Sequence, residues 1–309
     1  MRSSTSSSDA RLVPRALALL VLVPTLLLGT FQVLRIPGDL TEDVFWARKV
    51  EWGDTFDIVI AGDSRTYRGI SPEQLATFFP AARIGNFGFS SAALAGPYVE
   101  RIRSLLSPTS SRPTVVLAVT PYSLTERATL ENGFISQPSG GPPLRSAAWI
   151  GWCRQFVAPL SLDEIAVMLR DRSIFVGGNI YHEDGWVEST SPVYSALPAF
   201  DWARVDFEGN PVSPLLLAGL GDRVRDWTAQ GVEVFAFVMP VTPELEDLEA
   251  RLSGFDVERV AEALRSAGAV WLTPPGGFET YDRSHLTAPS AIEFSRWLGR
   301  ALQALEERR

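Results

Sequence analysis

Five short segments of the chain have the composition of β-strands buried on both faces, and segments of helical periodicity separate them. The strand candidates are Ile58–Ala61, Arg83–Phe87, Val115–Val119, the run that begins at Val232, and Ala269–Leu272. They are mainly continuous apolar runs, whereas strands with one wet face alternate apolar and polar residues. Alternation of such strands with helices is typical of a parallel sheet covered on both faces. The sequence therefore predicts an α/β fold, a three-layer α/β/α sandwich around a five-stranded parallel sheet.

The predicted helices fill the gaps between these strands. Ser71 is a candidate N-cap for a helix that starts at Pro72, and Gly231 is a candidate C-terminal glycine. The further helices are Ser91–Leu106, Leu215–Ala229, a long region after the fourth strand, and Ala288–Leu305. The last of these is amphipathic, as expected of a helix that lies on one face of a sheet.

The region 123–214 interrupts this rhythm with a Pro- and Gly-rich stretch and a predicted helix near Leu162–Leu169. We interpret it as an insertion at the carboxyl edge of the third strand, within a domain that spans residues 56–306. Loops at that edge line the ligand crevice of α/β proteins, so the insertion is expected to shape the substrate site. Its aromatic residues could form a platform for a sugar, although core or lid packing explains most of them. The tryptophans concerned are Trp149, Trp152, Trp186 and Trp202.

The segment Ala16–Leu34 contains no charged residue and is nearly long enough, at ~1.5 Å per residue, to cross a ~30 Å hydrocarbon core. Arginines precede it and acidic residues follow it, which leaves the N-terminus in the cytoplasm by the positive-inside rule. We predict a disordered cytoplasmic tail (1–15), a transmembrane signal anchor (16–36) and a linker (37–55). The protein would be a single-pass inner-membrane protein with a periplasmic or extracytoplasmic domain. A cleaved signal peptide and a buried soluble helix are the alternatives, and the missing small-x-small site favours the anchor.

Charge and the rarer residue types exclude several functions. The net charge of −8 argues against a nucleic-acid binder, which needs a basic face for the phosphates. Cys153 is the only cysteine, so an internal disulfide is impossible. With two histidines and one cysteine the chain cannot build a usual zinc site. An all-carboxylate metal site is the alternative, but no EF-hand or similar ligand spacing is visible, and we expect no metal and no cofactor.

Two polar motifs lie where the ends of predicted strands meet. The first strand leads into Gly62-Asp63-Ser64, and Asp282 and His285 lie between the fifth strand and the last helix. Gly, Asp and Ser are also ordinary turn residues, and a histidine is often a core or capping residue, so neither motif decides alone. A nucleophilic serine needs a base within hydrogen-bond reach, and the base needs a partner that fixes its tautomer. Because the carboxyl ends of parallel strands share one edge of a sheet, we predict Ser64 as nucleophile, His285 as base and Asp282 as its partner.

These residues resemble the motif blocks of the SGNH (GDSL-like) hydrolase superfamily. Gly62-Asp63-Ser64 is similar to the first block, Asn86-Phe87-Gly88 to the second, and Asp282-x-x-His285 to the last. The resemblance extends over about residues 56–306 and implies an SGNH-hydrolase or flavodoxin-like sandwich with acyl or ester chemistry at Ser64. It also implies an oxyanion hole made by the backbone N–H groups of Ser64 and Gly88, with Asn86 as a further candidate donor.

The third block departs from the family pattern. Where the family usually has Gly-x-Asn-Asp, this chain has Thr120-Pro121-Tyr122-Ser123, so the asparagine that donates to the oxyanion is missing. Loss of one such donor typically costs ~3 kcal/mol of transition-state stabilisation. Either Asn86 or Ser123 replaces it, or the enzyme is slow in water, or the site is not catalytic.

A narrower resemblance combines the GDSRTYRGI stretch, Asp184-Gly185-Trp186, the DRSHL stretch and the N-terminal anchor. Together they look like the membrane-tethered SGNH-like proteins of bacterial envelopes, which work with membrane-bound O-acyltransferases (MBOAT proteins). This resemblance implies O-acylation, such as acetylation, of an exported polysaccharide or envelope glycan with an MBOAT partner. The alternatives are a carbohydrate or lipid ester hydrolase and a non-catalytic SGNH-fold adaptor that binds a membrane partner.

Other polar residues near these motifs have simpler interpretations. Arg65 and Arg68 could contact an anionic substrate, but solvated arginines are commoner, and we expect both to be solvated. Successive residues of the His182-Glu183-Asp184 segment point in different directions, so a solvated turn is expected rather than a metal site. Asp63 is expected to shape its turn through hydrogen bonds from its side chain to the backbone.

Overall fold

A computed structural model describes Leu40 and residues 42–137, 178–193 and 200–306. The predicted tail (1–15) and anchor (16–36) lie outside these residues, and so does the predicted helix near Leu162–Leu169. None of the helices within the described ranges is long and apolar enough to span a bilayer.

The described residues alternate strands and helices, as the sequence predicts. The strands are β1 (Ile58–Ala61), β2 (Ile84–Asn86), β3 (Thr114–Val119), β4 (Asn179–Tyr181), β5 (Val187–Ser189), β6 (Glu233–Val238) and β7 (Val270–Trp271). The helices are α1 (Glu42–Val50), α2 (Ser64–Gly69), α3 (Pro72–Ala76), α4 (Gly96–Ser104), α5 (Glu126–Leu130), α6 (Gly133–Ser136), α7 (Asp201–Phe207), α8 (Pro214–Ala229), α9 (Pro243–Ser253), α10 (Val257–Ser266) and α11 (Ala288–Glu306). A 3₁₀ turn covers Tyr122–Leu124.

Five strands form one parallel sheet in the order β2-β1-β3-β6-β7. All six residues of β3 are buried, because helices cover both faces of the sheet. Alternate residues of a strand point to opposite faces, and Val115 and Val116 accordingly belong to two different hydrophobic clusters. The first cluster includes side chains of α4, α8 and α10, and the second includes side chains of α3 and α11. The predictions of an α/β class and a five-stranded parallel sheet are confirmed.

The ends of several helices follow from local sequence. Ser71 accepts a hydrogen bond from the Gln74 N–H and precedes Pro72, which starts α3 as predicted. Gly231, with φ of +81°, follows the end of α8. The helix predicted for Ser91–Leu106 is shorter than expected, because Ala95 is extended and only Gly96-Pro97 begins α4.

Two segments outside the main sheet dock onto it. Residues 37–55, which the sequence predicts to be a linker, contain α1, whose Phe45 side chain is only 2% exposed. Strands β4 and β5 form an antiparallel hairpin whose turn contains Asp184 and Gly185. The Asn86 N–H at the end of β2 donates to the carbonyl of Asp184, so the turn of the hairpin is held against the end of β2.

Candidate active site

The site lies at the carboxyl ends of β1 and β3, where the strand order reverses from β2 on one side to β3 on the other. Ligand crevices of open α/β sheets form at this kind of position. Asp63 follows β1 and caps α2, because its Oδ1 accepts the Arg65 N–H at 3.0 Å. Its Oδ2 accepts a hydrogen bond from the hydroxyl of Thr120, the residue after β3. These bonds fix Ser64 as the first residue of α2, and they agree with the structural role predicted for Asp63.

The three predicted catalytic side chains meet at this edge. The Nε2 atom of His285 lies 2.9 Å from the Oγ of Ser64, and its Nδ1 lies 2.6 Å from the Oδ2 of Asp282. The other carboxylate oxygen of Asp282 accepts the N–H groups of Ser284 and His285 at 3.0 and 2.7 Å. A carboxylate at Nδ1 selects the tautomer in which Nδ1 carries the proton and Nε2 is free to accept the Ser64 hydroxyl.

The pKa of Asp282 reflects these contacts. Burial raises it, but the hydrogen bonds from His285 and Ser284 and the attraction to the His285 ring outweigh burial, so the pKa lies below its usual value. The carboxylate is therefore ionised at neutral pH and can stabilise a positively charged imidazole beside it.

The groups predicted to complete the oxyanion hole beside Ser64 form hydrogen bonds within the protein instead. The Gly88 N–H donates to the side-chain oxygen of Asn86 at 3.0 Å, and the Asn86 amide donates to the carbonyls of Thr66 and Ile70. Asn86 is completely buried; its amide N–H groups brace the C-terminal part of α2, and its side-chain oxygen holds the loop after β2 at Gly88. The Ser123 hydroxyl, another predicted substitute, donates to the carbonyl of Thr120. Ser64, as the first residue of α2, has an N–H without a partner inside the helix, and this group remains the candidate donor.

Comparison with known proteins assigns no family to this geometry. No family model matches the chain, and no curated protein is significantly similar to it. Within the described ranges, no three His, Cys, Asp or Glu side chains are grouped so that they could hold a metal ion. The reactive groups that meet in the described part of the chain are the Ser64 hydroxyl, the His285 imidazole and the Asp282 carboxylate.

A cavity of about 430 Å³ opens in front of Ser64. Besides the catalytic side chains, its walls contain aromatic, acidic and basic residues. Five of them belong to the 123–214 region, namely Glu131, Phe200, Trp202, Asp206 and Phe207, and the others are Asp63, Arg65, Ser91, Tyr122, Glu249, Arg283 and Ser284. Burial and the nearby negative charge of Glu131 raise the pKa of Asp206. The cavity is therefore large enough for an acyl group or a sugar unit and has groups that can stack on one and accept hydrogen bonds from it.

Backbone strain is concentrated at this cavity. Ser91 and Arg283 line it, and among the described residues they are the only two other than glycine with positive φ, at 51° and 73°. Such conformations cost ~1–3 kcal/mol each and are retained where surrounding contacts enforce them, often at functional sites. The guanidinium of Arg283 lies 4.4 Å from the centre of the Phe200 ring, which is a cation–π contact on the cavity wall.

The structure corrects one interpretation of the arginines near Ser64. Arg65 is buried rather than solvated and forms an ion pair with Glu249. Arg68 is partly exposed and donates to the side chain of Asn179 at 2.8 Å. Both residues thus have intramolecular partners in the protein.

The aromatic and acidic residues of the hairpin have structural contacts. The His182 ring stacks on Trp186 at 4.6 Å, and its Nε2 lies 3.1 Å from Glu188. Trp186 is buried and donates its indole N–H to the carbonyl of Arg68. Trp202 lines the cavity, and the tryptophans at 149 and 152 lie outside the described residues.

Sequence reasoning missed two residues that support the site, Thr120 and Glu249. Thr120 directly follows β3 and so shares the sheet edge with Ser64, a position that could have identified it. Glu249 lies on α9 among several other acidic residues, and no local pattern distinguishes it from them.

Proposed function

We propose that this protein is a membrane-anchored serine acyltransferase or esterase of the SGNH type that works through an acyl-enzyme. The observation that carries the proposal is the continuous hydrogen-bonded chain from Ser64 through His285 to Asp282, with separations of 2.9 and 2.6 Å. Distances of this size are within the reach needed for proton transfer from a nucleophile to its base.

In the proposed first half-reaction, the Ser64 Oγ attacks the carbonyl carbon of an acyl donor while the His285 Nε2 takes the hydroxyl proton. The negative charge on the carbonyl oxygen faces the N-terminus of α2, where the Ser64 N–H can donate to it. His285 then returns its proton to the leaving oxygen as the carbon–oxygen bond breaks, leaving the acyl group on Ser64. In the second half-reaction the oxygen of an acceptor hydroxyl attacks the acyl carbon while the His285 Nε2 takes its proton. The bond between that carbon and the Ser64 Oγ then breaks, and His285 returns the proton to Ser64.

We favour O-acylation, such as acetylation, of an exported polysaccharide or envelope glycan as the overall reaction. The N-terminal motif and the anchor resemble those of SGNH-like proteins that partner MBOAT proteins, and the anchor would keep the domain at the outer face of the inner membrane. The aromatic and polar walls of the cavity suit a sugar acceptor. Hydrolysis of a carbohydrate or lipid ester differs only in that water takes the place of the acceptor hydroxyl.

A non-catalytic adaptor is the rival function, and one observation favours it. The Gly88 N–H, the Asn86 amide and the Ser123 hydroxyl are all engaged in internal hydrogen bonds, which leaves the oxyanion with few donors. An adaptor would keep the fold and bind a membrane partner without using Ser64 as a nucleophile.

A fluorophosphonate probe distinguishes the enzyme from the adaptor, because it reacts covalently only with an activated serine. We expect the full chain in detergent to be labelled and Ser64→Ala to remain unlabelled, while Ser104→Ala, at an exposed serine on α4, labels like the wild type. Absence of labelling in a folded wild-type protein would reject the enzyme and support the adaptor. Incubation with an aryl acetate and a neutral oligosaccharide then separates transfer, which yields acetylated sugar, from hydrolysis, which yields only acetate.

A further inference from the structure

The residue that follows the proposed nucleophile takes part in a buried polar network outside the catalytic chain. The Nε of Arg65 donates to the hydroxyl of Ser284 at 2.9 Å, and its two terminal nitrogens form a fork to the carboxylate of Glu249. Arg65, Ser284 and Glu249 are only 6%, 6% and 2% exposed. Burial lowers the pKa of Arg65, but the negative charge of Glu249 outweighs burial and raises it, so the guanidinium is fully charged.

Two residues of this network, Arg65 and Ser284, lie on the two segments that carry the catalytic side chains. Arg65 lies on α2 directly after Ser64, and Ser284 lies between Asp282 and His285 in the loop before α11. The N–H of Ser284 also donates to the Asp282 carboxylate. One guanidinium therefore connects the helix that carries the hydroxyl to the loop that carries the imidazole and the carboxylate.

Stability alone is a weak explanation for such a network. A buried ion pair often contributes no more to stability than apolar side chains of similar volume, because desolvation of both charges offsets their attraction. A planar guanidinium, by contrast, fixes the directions of its five N–H donors, which a lysine ammonium does not. The property that this network adds is a defined relative position of α2 and the loop.

We propose that Arg65 and Glu249 are positioning residues that act through Ser284 to hold the loop of Asp282 and His285 at the correct distance from Ser64. The inference rests on the proposed function, since it assigns a task within the same serine chemistry. Misplacement of a catalytic group by ~1 Å can cost ~100-fold in rate. Loss of the network is therefore expected to slow reaction at Ser64 while the domain stays folded.

Ser284→Ala is the most informative variant, because it removes one acceptor of Arg65 and leaves the buried ion pair intact. We expect its rate of fluorophosphonate labelling to fall ~10- to 100-fold. In a His285→Ala background the same substitution should have almost no further effect, because groups that act as one unit are not additive. Arg65→Lys, which keeps the charge but loses the fork, should behave like Ser284→Ala. Ser295→Ala, at a buried serine on α11 that bonds to Ser71, is the matched control and should label normally.

A readout that does not depend on activity makes the two proposals separable. The proton on His285 Nδ1 should give a downfield NMR resonance in the full chain, and His182→Gln assigns it because the chain has only two histidines. We expect this resonance to broaden or vanish in Ser284→Ala and in Arg65→Lys, and to persist in Ser295→Ala. If the wild type is not labelled but the resonance responds in this way, the serine chemistry fails and the positioning role stands.

Two results would overturn the positioning role. The first is a Ser284→Ala protein whose His285 resonance matches that of the wild type and which, if the wild type is labelled, is labelled at the same rate. The second is an equal loss of labelling from Ser284→Ala in the presence and in the absence of the His285 imidazole, because the network would then not act through that ring.

Discussion

At the scale of single residues, the imidazole of His285 can serve as a base only while its ring is held in one tautomer. Asp282 provides this constraint through the 2.6 Å contact to Nδ1, and its own lowered pKa keeps it ionised over the neutral range. Its second oxygen accepts two backbone N–H groups, so the carboxylate also organises the loop that presents the ring.

Asp282→Asn tests the tautomer argument, because an amide keeps the shape of the side chain but can donate to Nδ1 and trap the wrong tautomer. We expect the rate of acyl-enzyme formation, measured as the burst of aryl product from an aryl acetate, to fall by about four orders of magnitude. The thermal midpoint should change little by comparison, which shows that the protein remains folded. A variant that retains more than a tenth of the wild-type burst rate would contradict the assignment of Asp282.

Ser64, His285 and Asp282 could be predicted because their positions depend on local patterns, the ends of two apolar strands and the start of a helix. The burial of Arg65 could not, because its partner Glu249 is 184 residues away in the sequence. The charge of an arginine is buried only where a carboxylate meets it in the folded protein, and that pairing leaves no mark on the local sequence. The engagement of the Gly88 N–H with Asn86 is different, because it joins residues two apart, and an asparagine two residues before a glycine is a local signal for such a turn.

At the scale of elements, the five strands of the parallel sheet are predicted well, whereas the short helices are predicted poorly and the hairpin strands β4 and β5 are not predicted. A strand buried on both faces leaves an apolar run, whereas α2 has only six residues and its first turn depends on the cap that Asp63 provides. The segment 91–95 has the composition of a helix, but its Leu94 N–H donates to the carbonyl of Ser123. This tertiary contact keeps the segment out of α4.

The packing of Gly185 against β2 predicts how a substitution there affects the hairpin β4–β5. Its φ is +93°, and a Cβ atom there would clash with the backbone carbonyl oxygen of Asn86 at the end of β2. Gly185→Ala should therefore lower the free energy of unfolding by about 3 kcal/mol or more, through steric overlap as well as strain. Gly231→Ala is the matched control, because that φ is +81° with open space around it, and it should cost only ~1 kcal/mol. Urea unfolding followed by circular dichroism measures both, and equal losses would show that the hairpin does not press on β2.

At the scale of the whole molecule, α1 follows the predicted anchor in the sequence and packs against elements around the site. Lys49, the only lysine of the chain, is 1% exposed and donates to the carbonyl of Gly185 at 3.0 Å. Its ammonium also lies 4.9–5.5 Å from the centres of four aromatic rings, those of Phe45, Trp46, Tyr67 and Phe89. Tyr67 belongs to α2 and Phe89 to the loop after β2. A segment that would leave the membrane is thus packed against the same elements that hold Ser64.

Because Lys49 is buried, its pKa predicts how the free energy of unfolding depends on pH. Burial lowers it well below 10.5, although the negative charge of Asp184 partly opposes the shift. The unfolded chain therefore binds more protons than the native state at pH values between the native pKa and the unfolded pKa of ~10.4, and stability should rise with pH across that window. The contribution is most unfavourable below the native pKa and vanishes above the unfolded one.

Lys49→Met isolates this effect, because methionine fills a similar volume and does not titrate. As pH rises from about 7 to about 9.5, the wild type should gain stability relative to the variant by up to ~1.4 kcal/mol per pH unit within the window. The difference between the two proteins cancels the tyrosines, whose pKa values are raised by burial and which begin to ionise in the unfolded chain near pH ~10. Unfolding in urea at a series of pH values gives the two curves. Parallel curves would mean that Lys49 does not change its protonation on folding and stays charged among the four rings.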